Sequence, residues 1–495
     1  MGDLHFHTSQ AEEFDPRVWN TAYLTGIEGI PWHCHHRLQG EQFSIGREID
    51  ESGKLNIVWP TTALGNVCLA TTSLRLSPKL YNLGVEVARG TVHQLKNQAY
   101  EWQRIGLKFP DGFLPLADQA LDYLLQGLTA PAQSKQQHTH AQNAIDQSLQ
   151  ASVALCDTFS TQALDSRRAT EGRLATLLGA RLQPEVSLTS IGDALNSAFN
   201  LVSVPVELGR VELSSGKTDF SHFDQQVEWA ANVGKRVCVG PLVNFRKGQL
   251  PQWMVLLDAE FEKVLEVSCE HAARCVERYR GKTHVWNCAA GLNVPGDMNW
   301  SDEEVLRMAV ALIETVRRAD ERSPVLLTID QPWSEYLRDE PNGISPLHFA
   351  DALIRADLGL SGLALDLSFG TEPGLSFPRD PIDISRLVDR WAMLGLPLMI
   401  HLSCPTHTPQ GPQSSSTTAG WKTPAASSTG APTNFVSPEL LTRLLLCKPA
   451  VHAVIWDNLS DQVPKAGGAS GLWGVDGKAK PLLRNMLDLR RTYLH

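Results

Sequence analysis

Two hydrophobic periods alternate from about Leu178 to the C-terminus, and this alternation leaves the chain few folds to adopt. Eight short apolar runs, at residues 180–182, 199–206, 236–243, 284–289, 325–330, 362–368, 397–403 and 453–459, have the continuity of strands buried on both faces. Between them, residues 224–233, 255–280, 302–318, 348–356, 382–394, 438–446 and 481–494 carry apolar side chains every three or four positions. That is the spacing of a helix packed on one side. Parallel strands cannot be joined by tight turns and need a crossover, usually a helix. The alternation therefore predicts an α/β fold, and its eight repeats predict a closed (β/α)8 TIM barrel over residues 179–495. One stretch breaks the rhythm. Residues 406–433 are rich in Ser, Thr, Pro and Gly and predict a flexible loop after the seventh strand.

The residues before the barrel follow other periods. Up to about residue 90, segments such as Gln42-Phe-Ser-Ile-Gly-Arg-Glu-Ile-Asp50 and Lys54-Leu-Asn-Ile-Val-Trp-Pro60 alternate or run apolar, with turn residues Glu51-Ser52-Gly53 between them. They predict a small β-sandwich-like domain over residues 1–90. Residues 91–178 return to helical spacing, with a polar break at 133–140, and predict a helical hairpin linking the two parts.

Several function classes fall away here. The cluster Trp32-His33-Cys34-His35-His36 invites a metal reading, but adjacent side chains on an extended chain point to opposite faces. No second ligand group follows at zinc-like spacing, so neither a metal nor a cofactor is expected. A net charge of −10 lacks the basic patch that nucleic acid demands. No apolar run is long enough to span a membrane. The first residues, Met1-Gly-Asp-Leu-His-Phe-His-Thr8, show neither the basic nor the apolar region of a leader, which predicts a cytoplasmic protein. Nine cysteines without C-x-x-C pairing predict reduced, buried thiols.

The run Arg278-Tyr-Arg-Gly-Lys-Thr-His-Val-Trp-Asn-Cys-Ala-Ala-Gly-Leu-Asn293 reads as a helix end, a turn at Gly281 and a buried strand stopping at Gly291. Barrel enzymes keep their chemistry at the C-terminal tips of such strands. This tip, Ala289-Ala290-Gly291, cannot ionise. Further along come Gly395-Leu-Pro-Leu-Met-Ile400, Ile455-Trp-Asp-Asn-Leu-Ser-Asp461 and Gly471-Leu-Trp-Gly-Val-Asp-Gly-Lys-Ala-Lys-Pro481. Before it come Gly216-Lys-Thr-Asp-Phe220 and Gly234-Lys-Arg-Val-Cys-Val-Gly-Pro-Leu-Val-Asn-Phe245. Taken in order over the C-terminal two-thirds, these segments resemble glycoside hydrolase family 10, the endo-β-1,4-xylanases. The resemblance implies a barrel, a β-linked oligosaccharide or polysaccharide as ligand, and catalytic glutamates at the tips of strands four and seven. Aligned on Trp286, the acid/base glutamate falls at Gly291. Aligned on Ile400, the nucleophile falls at Leu402, with only His401 or Ser403 one residue away. The histidine usual in the strand-three loop falls at Pro241.

A retaining glycosidase needs two carboxyls about 5–5.5 Å apart, and Gly and Leu supply neither. Other carboxylates near predicted strand ends could have taken over: Asp330 in Thr328-Ile-Asp-Gln-Pro-Trp333, Asp366 in Ala364-Leu-Asp-Leu-Ser368, and Asp457 beside Trp456. An inverting pair would stand about 6.5–9.5 Å apart. A buried salt bridge or helix cap competes evenly with function for Asp330 and is the favoured role for Asp366 and Asp457. Trp286, Trp333, Trp456 and Trp473 could stack on the apolar face of a sugar, and Asn244, Asn287, Asn293 and Gln331 could meet its hydroxyls. Core packing is the competing role for the tryptophans. Three readings follow: a glycan-binding barrel without retaining hydrolysis, a glycosidase with relocated carboxylates centred on Asp330, and a structural or interaction scaffold. The sugar, its linkage and the oligomeric state are not legible.

Overall fold

A β-rich unit begins the chain, its strands ranging from the largely buried run Lys54–Thr61 to the fully exposed His35–Gln39. The computed structural model describes residues 2–8, 15–341, 343–370, 372–406, 436–463 and 468–495. The loop expected at 406–433 lies, from residue 407 on, outside the described residues. Strands β1 (Gly2–His7), β2 (Tyr23–Thr25), β3 (His35–Gln39), β4 (Gln42–Arg47), β5 (Lys54–Thr61), β6 (Gly65–Ala70) and β7 (Tyr81–Asn82) form two sheets. One has the order β3-β4-β1-β7 and the other β2-β5-β6. His35 and His36, which carried the metal suggestion, lie on the exposed edge strand β3. Among the described residues no group of three or more His, Cys, Asp or Glu could hold a metal ion.

Three helices follow, α1 (Leu83–Arg104), α2 (Phe113–Thr129) and α3 (Lys135–Glu171). The expected polar break at 133–140 is mostly the first turn of α3. Ser134 caps it by accepting the Gln137 backbone N–H, which removes one of the unpaired donors of a helix start. Trp102 of α1 stacks on Phe159 of α3 with ring centroids 3.8 Å apart. Asp146 of α3 accepts the backbone N–H groups of Thr62 and Ala63, which fixes the helices to the β5–β6 turn.

The barrel then closes as the alternation requires. In chain order its elements are β8 (Leu177–Arg181), α4 (Leu188–Ala198), β9 (Leu201–Val204), α5 (Leu208–Val211), α6 (Ser221–Asn232), β10 (Arg236–Val239), β11 (Val243–Asn244), α7 (Gln252–Val255) and α8 (Phe261–Tyr279). They continue with β12 (Val285–Asn287), β13 (Ala289–Ala290), α9 (Asp302–Ala319), β14 (Val325–Ile329), α10 (Pro346–Arg355), β15 (Gly362–Ser368) and α11 (Pro381–Ala392). The last are β16 (Leu398–Ser403), α12 (Pro438–Leu446), β17 (Val451–Trp456) and α13 (Pro481–Tyr493). Eight parallel strands ring the barrel in the order β10-β12-β14-β15-β16-β17-β8-β9. This is a (β/α)8 barrel preceded by a β-rich region. The expected third strand, 236–243, is shorter than drawn, because Pro241 has no N–H to donate to a ladder. Its continuation β11 pairs instead with β13 as a two-stranded extension above the ring. All nine cysteines are unpaired, seven of them buried.

The β-rich unit rests on loops at the C-terminal end of the barrel. The Cys68 N–H donates to Pro378 O at 2.7 Å, and the Cys34 N–H to Arg338 O. Between them lies a buried charge cluster. The Arg379 guanidinium donates to Glu335 Oε1 and to the Tyr23 hydroxyl, each at 2.7 Å. Among the described residues no helix is long and apolar enough to cross a membrane.

Candidate functional site

Side-chain parity decides what faces the barrel interior, since successive residues of a strand point to opposite faces. One buried apolar cluster, Leu201, Cys238, Leu326, Ala364, Met399, Ala453 and Ile455, fills the interior. Two residues above its members, toward the strand tips, come Ser203, Thr328, Asp366, His401 and Asp457, with Arg181 and Asn287 in the same phase. The interior is thus apolar below and polar at its C-terminal mouth.

The mouth is a network of paired charges. Arg246, in the loop after β11, donates from Nε to Asp330 Oδ1 and from Nη2 to Asp366 Oδ2, the latter at 2.5 Å. Asp330 Oδ2 accepts the Gly291 N–H at 2.7 Å. Asn293 clasps the Asp330 backbone from both sides, donating to its carbonyl at 2.8 Å and accepting its N–H at 2.9 Å. A second arginine, Arg181 at the tip of β8, reaches Glu207 Oε1 at 2.6 Å and Asp457 Oδ2 at 3.4 Å. Asn244 donates to that same Glu207 oxygen and accepts the Arg246 N–H, so it braces both halves. His401 Nδ1 stands 2.8 Å from Asp457 Oδ1.

Electrostatics follow from burial. Burial pushes the Asp330 carboxyl above the usual range, against the pull of Arg246, and the neighbouring Asp366 adds to the rise. Burial alone would weaken both guanidiniums as bases. The carboxylates outweigh it and hold Arg181 and Arg246 above the ordinary arginine value. The network is therefore a set of ion pairs, each arginine shared by two acids. Beside it, between the loops after β8 and β9, opens a cleft of about 500 Å³ lined by Glu185, Arg210, Leu213, Lys217, His222 and Phe223. Arg210 ties cleft to network through Glu207 Oε2 at 3.1 Å.

The two positions that the resemblance gave to glutamates are closed. Gly291 has φ +79°, and a Cβ there would run into the backbone nitrogen of Arg246. Leu402 is a correction of alignment. Its parity is opposite to His401, so it points outward to the helices and is fully buried there. The inward positions at that tip are His401 and Ser403, neither a carboxylate.

The expected aromatic lining is largely absent for the same reason. Trp286 and Trp456 have outward parity and are buried against the helical ring. The Trp286 indole donates to Asp320 Oδ2 at 3.0 Å and the Trp456 indole to Ser470 O at 2.9 Å. Trp473 is buried, its backbone paired with Leu459 and Asp461. Trp333 is half-buried under the Arg379 guanidinium, 5.0 Å from its ring centroid. Gln331, next to Asp330, is buried with φ +42°. Asn287 faces inward and donates to Thr328 Oγ1 at 2.8 Å. Arg181 and Arg246 escape a reading of the sequence. Arg181 carried a signal, as a charge closing an apolar strand run, and Arg246 in its loop carried none.

No protein-family model matches the chain, and no curated protein matches it. Among solved structures it is similar in fold to family-10 xylanases. Xylanase 10B from Thermotoga maritima is 13% identical, covers 66% of this chain and 98% of its own, and has a TM-score of 0.47. Xylanase B from Clostridium stercorarium F9 is 16% identical over 65% of this chain and 98% of its own, at 0.45. The family-10 structure from Paenibacillus barcinonensis is 15% identical over 68% and 98%, at 0.44.

Proposed function

We propose that this chain binds a β-linked glycan at the C-terminal face of its barrel and does not hydrolyse it by the retaining route. The observation that carries this is Arg246, which engages both Asp330 and Asp366 and stands against Gly291, where the resemblance places the acid/base glutamate. A carboxylate held by a guanidinium is a poor nucleophile, and one whose two oxygens both accept N–H groups, as in Asp330, has neither oxygen free to hand a proton to a leaving group. Space for a ligand is found in the cleft at Arg210 and Phe223. The test pairs calorimetry against a panel of xylo-, cello- and other β-linked oligosaccharides with reducing-end release from β-1,4-xylan. Binding without turnover is the expected result. Failure of every oligosaccharide to bind would end the reading.

The same bridge favours a second reading, because it brings Asp330 and Asp366 to one mouth. If Arg246 swings away, the two could act as a relocated carboxylate pair. Turnover that is lost in Asp330→Asn would put this reading in place of the first.

A further inference from the structure

Four buried side-chain atoms around the mouth have no hydrogen-bond partner among the described residues: Asp366 Oδ1, His401 Nε2, Asn287 Oδ1 and Asn458 Oδ1. All four residues are more than nine-tenths buried, Asp366 being the most open at 8%. Asp366 and His401 are register partners on β15 and β16, so their side chains stand next to one another on the inner face.

These atoms can all accept a hydrogen bond. The Asp457 carboxylate can only accept, so the proton it shares with His401 belongs to Nδ1, and in the neutral ring Nε2 presents a lone pair. Asp366 uses Oδ2 on Arg246 and leaves Oδ1 open. The amide nitrogens of Asn287 and Asn458 donate to Thr328 and Ser470, which leaves two carbonyl oxygens. Of the four, Asp366 Oδ1 can only accept, His401 Nε2 accepts when the ring is neutral, and the two amides, bonded to hydroxyls, can turn either end to a ligand. A neutral sugar hydroxyl brings lone pairs along with its proton, whereas an ammonium brings three donors and no acceptor. Charge points the same way, since Asp330 and Asp366 share a single guanidinium. A bare metal ion is the weaker fit, because no group of three His, Cys, Asp or Glu ligands converges among the described residues.

Resting on the glycan-binding reading above, we propose that the ligand carries a protonated primary amine, as in a 2-amino-2-deoxy sugar, and that Asp366 selects it. The amine donates to Asp366 Oδ1 and His401 Nε2 while the sugar body extends toward the mouth. His401 is a positioning residue for this contact, held in its tautomer by Asp457.

Calorimetry on the full chain at low ionic strength tests this with three probes: a fully deacetylated β-1,4-glucosamine trimer, its N-acetylated counterpart and cellotriose. The deacetylated trimer is expected to bind at least about tenfold tighter than the other two. In Asp366→Asn, with an unchanged circular dichroism spectrum, the three affinities are expected to converge. Equal or tighter binding of the neutral trimers overturns the amine proposal and leaves the glycan reading standing. Absence of binding by all three, together with the wider panel, overturns both. A preference that survives in Asp366→Asn overturns the assignment to Asp366. If that variant does not fold, the comparison of acetylated with deacetylated trimer on the unaltered chain still decides the ligand class.

Discussion

Arg246 reaches two aspartates from a loop, and each of them is nearly inaccessible to water. Replacing it with Met keeps much of the side-chain volume and strands two buried carboxylates. Breaking a buried ion pair by removing one partner costs about 3–5 kcal/mol, so Arg246→Met is expected to lower stability by that much in urea unfolding at neutral pH. Protonation of the stranded acids would relieve the penalty, so the loss should shrink as pH falls. His271 carries a second residue-scale expectation. Its ring faces Val206 O at 3.1 Å, and burial lowers it from 6.5 to about 4. The folded state refuses a proton that the unfolded chain accepts. Stability is therefore intact above about pH 6.5 and falls as pH drops toward 4, by about 3 kcal/mol for this group. Asp380, raised to about 6 by burial, works in the opposite direction across part of that window. The readout is thus the difference between the unaltered chain and His271→Gln in urea melts from pH 7 to pH 4.5, and the variant is expected to show the shallower loss.

Among the elements, α3 shows how a local cap outweighs composition. Its first turns are polar, so hydrophobic periodicity starts the helix late. Ser134 starts it earlier by supplying an acceptor where the backbone lacks one. Ser134→Ala is expected to cost about 1 kcal/mol, seen as a lower urea midpoint with an unchanged slope. The barrel strands teach the converse. Their positions are legible because burial on both faces demands a continuous apolar run. Which face a residue takes is legible only once the register is fixed, because a one-residue shift exchanges every inward and outward side chain. Trp286, Leu402 and Trp456 were expected at the cleft and are turned away from it by that single parity.

Across the whole molecule, the contact between the β-rich unit and the barrel concentrates on one buried cation. Arg379 meets Glu335, Asp383 and Tyr23, and all but Asp383 are deeply buried. Glu335→Gln keeps the shape and removes the charge that faces the guanidinium. The expected loss is about 3–5 kcal/mol, with the β-rich unit unfolding before the barrel. Separate transitions in near-ultraviolet circular dichroism and hydrogen exchange would show it, and a single cooperative transition at the original midpoint would contradict it.

The sequence by itself determined the barrel, because strand and helix periods record burial that each residue undergoes whatever its distant partners are. It also determined that glutamates are missing from the two tips where the resemblance places them. What fills those tips was decided by tertiary structure alone. Arg246 meets an aspartate 84 residues away, and Arg181 meets one 276 residues away. No local pattern encodes such a pair, since its energy exists only when closure of the barrel brings the charges together in a place that water has left. The unpartnered atoms of Asp366 and His401 are legible for the same reason only after strands six and seven lie side by side.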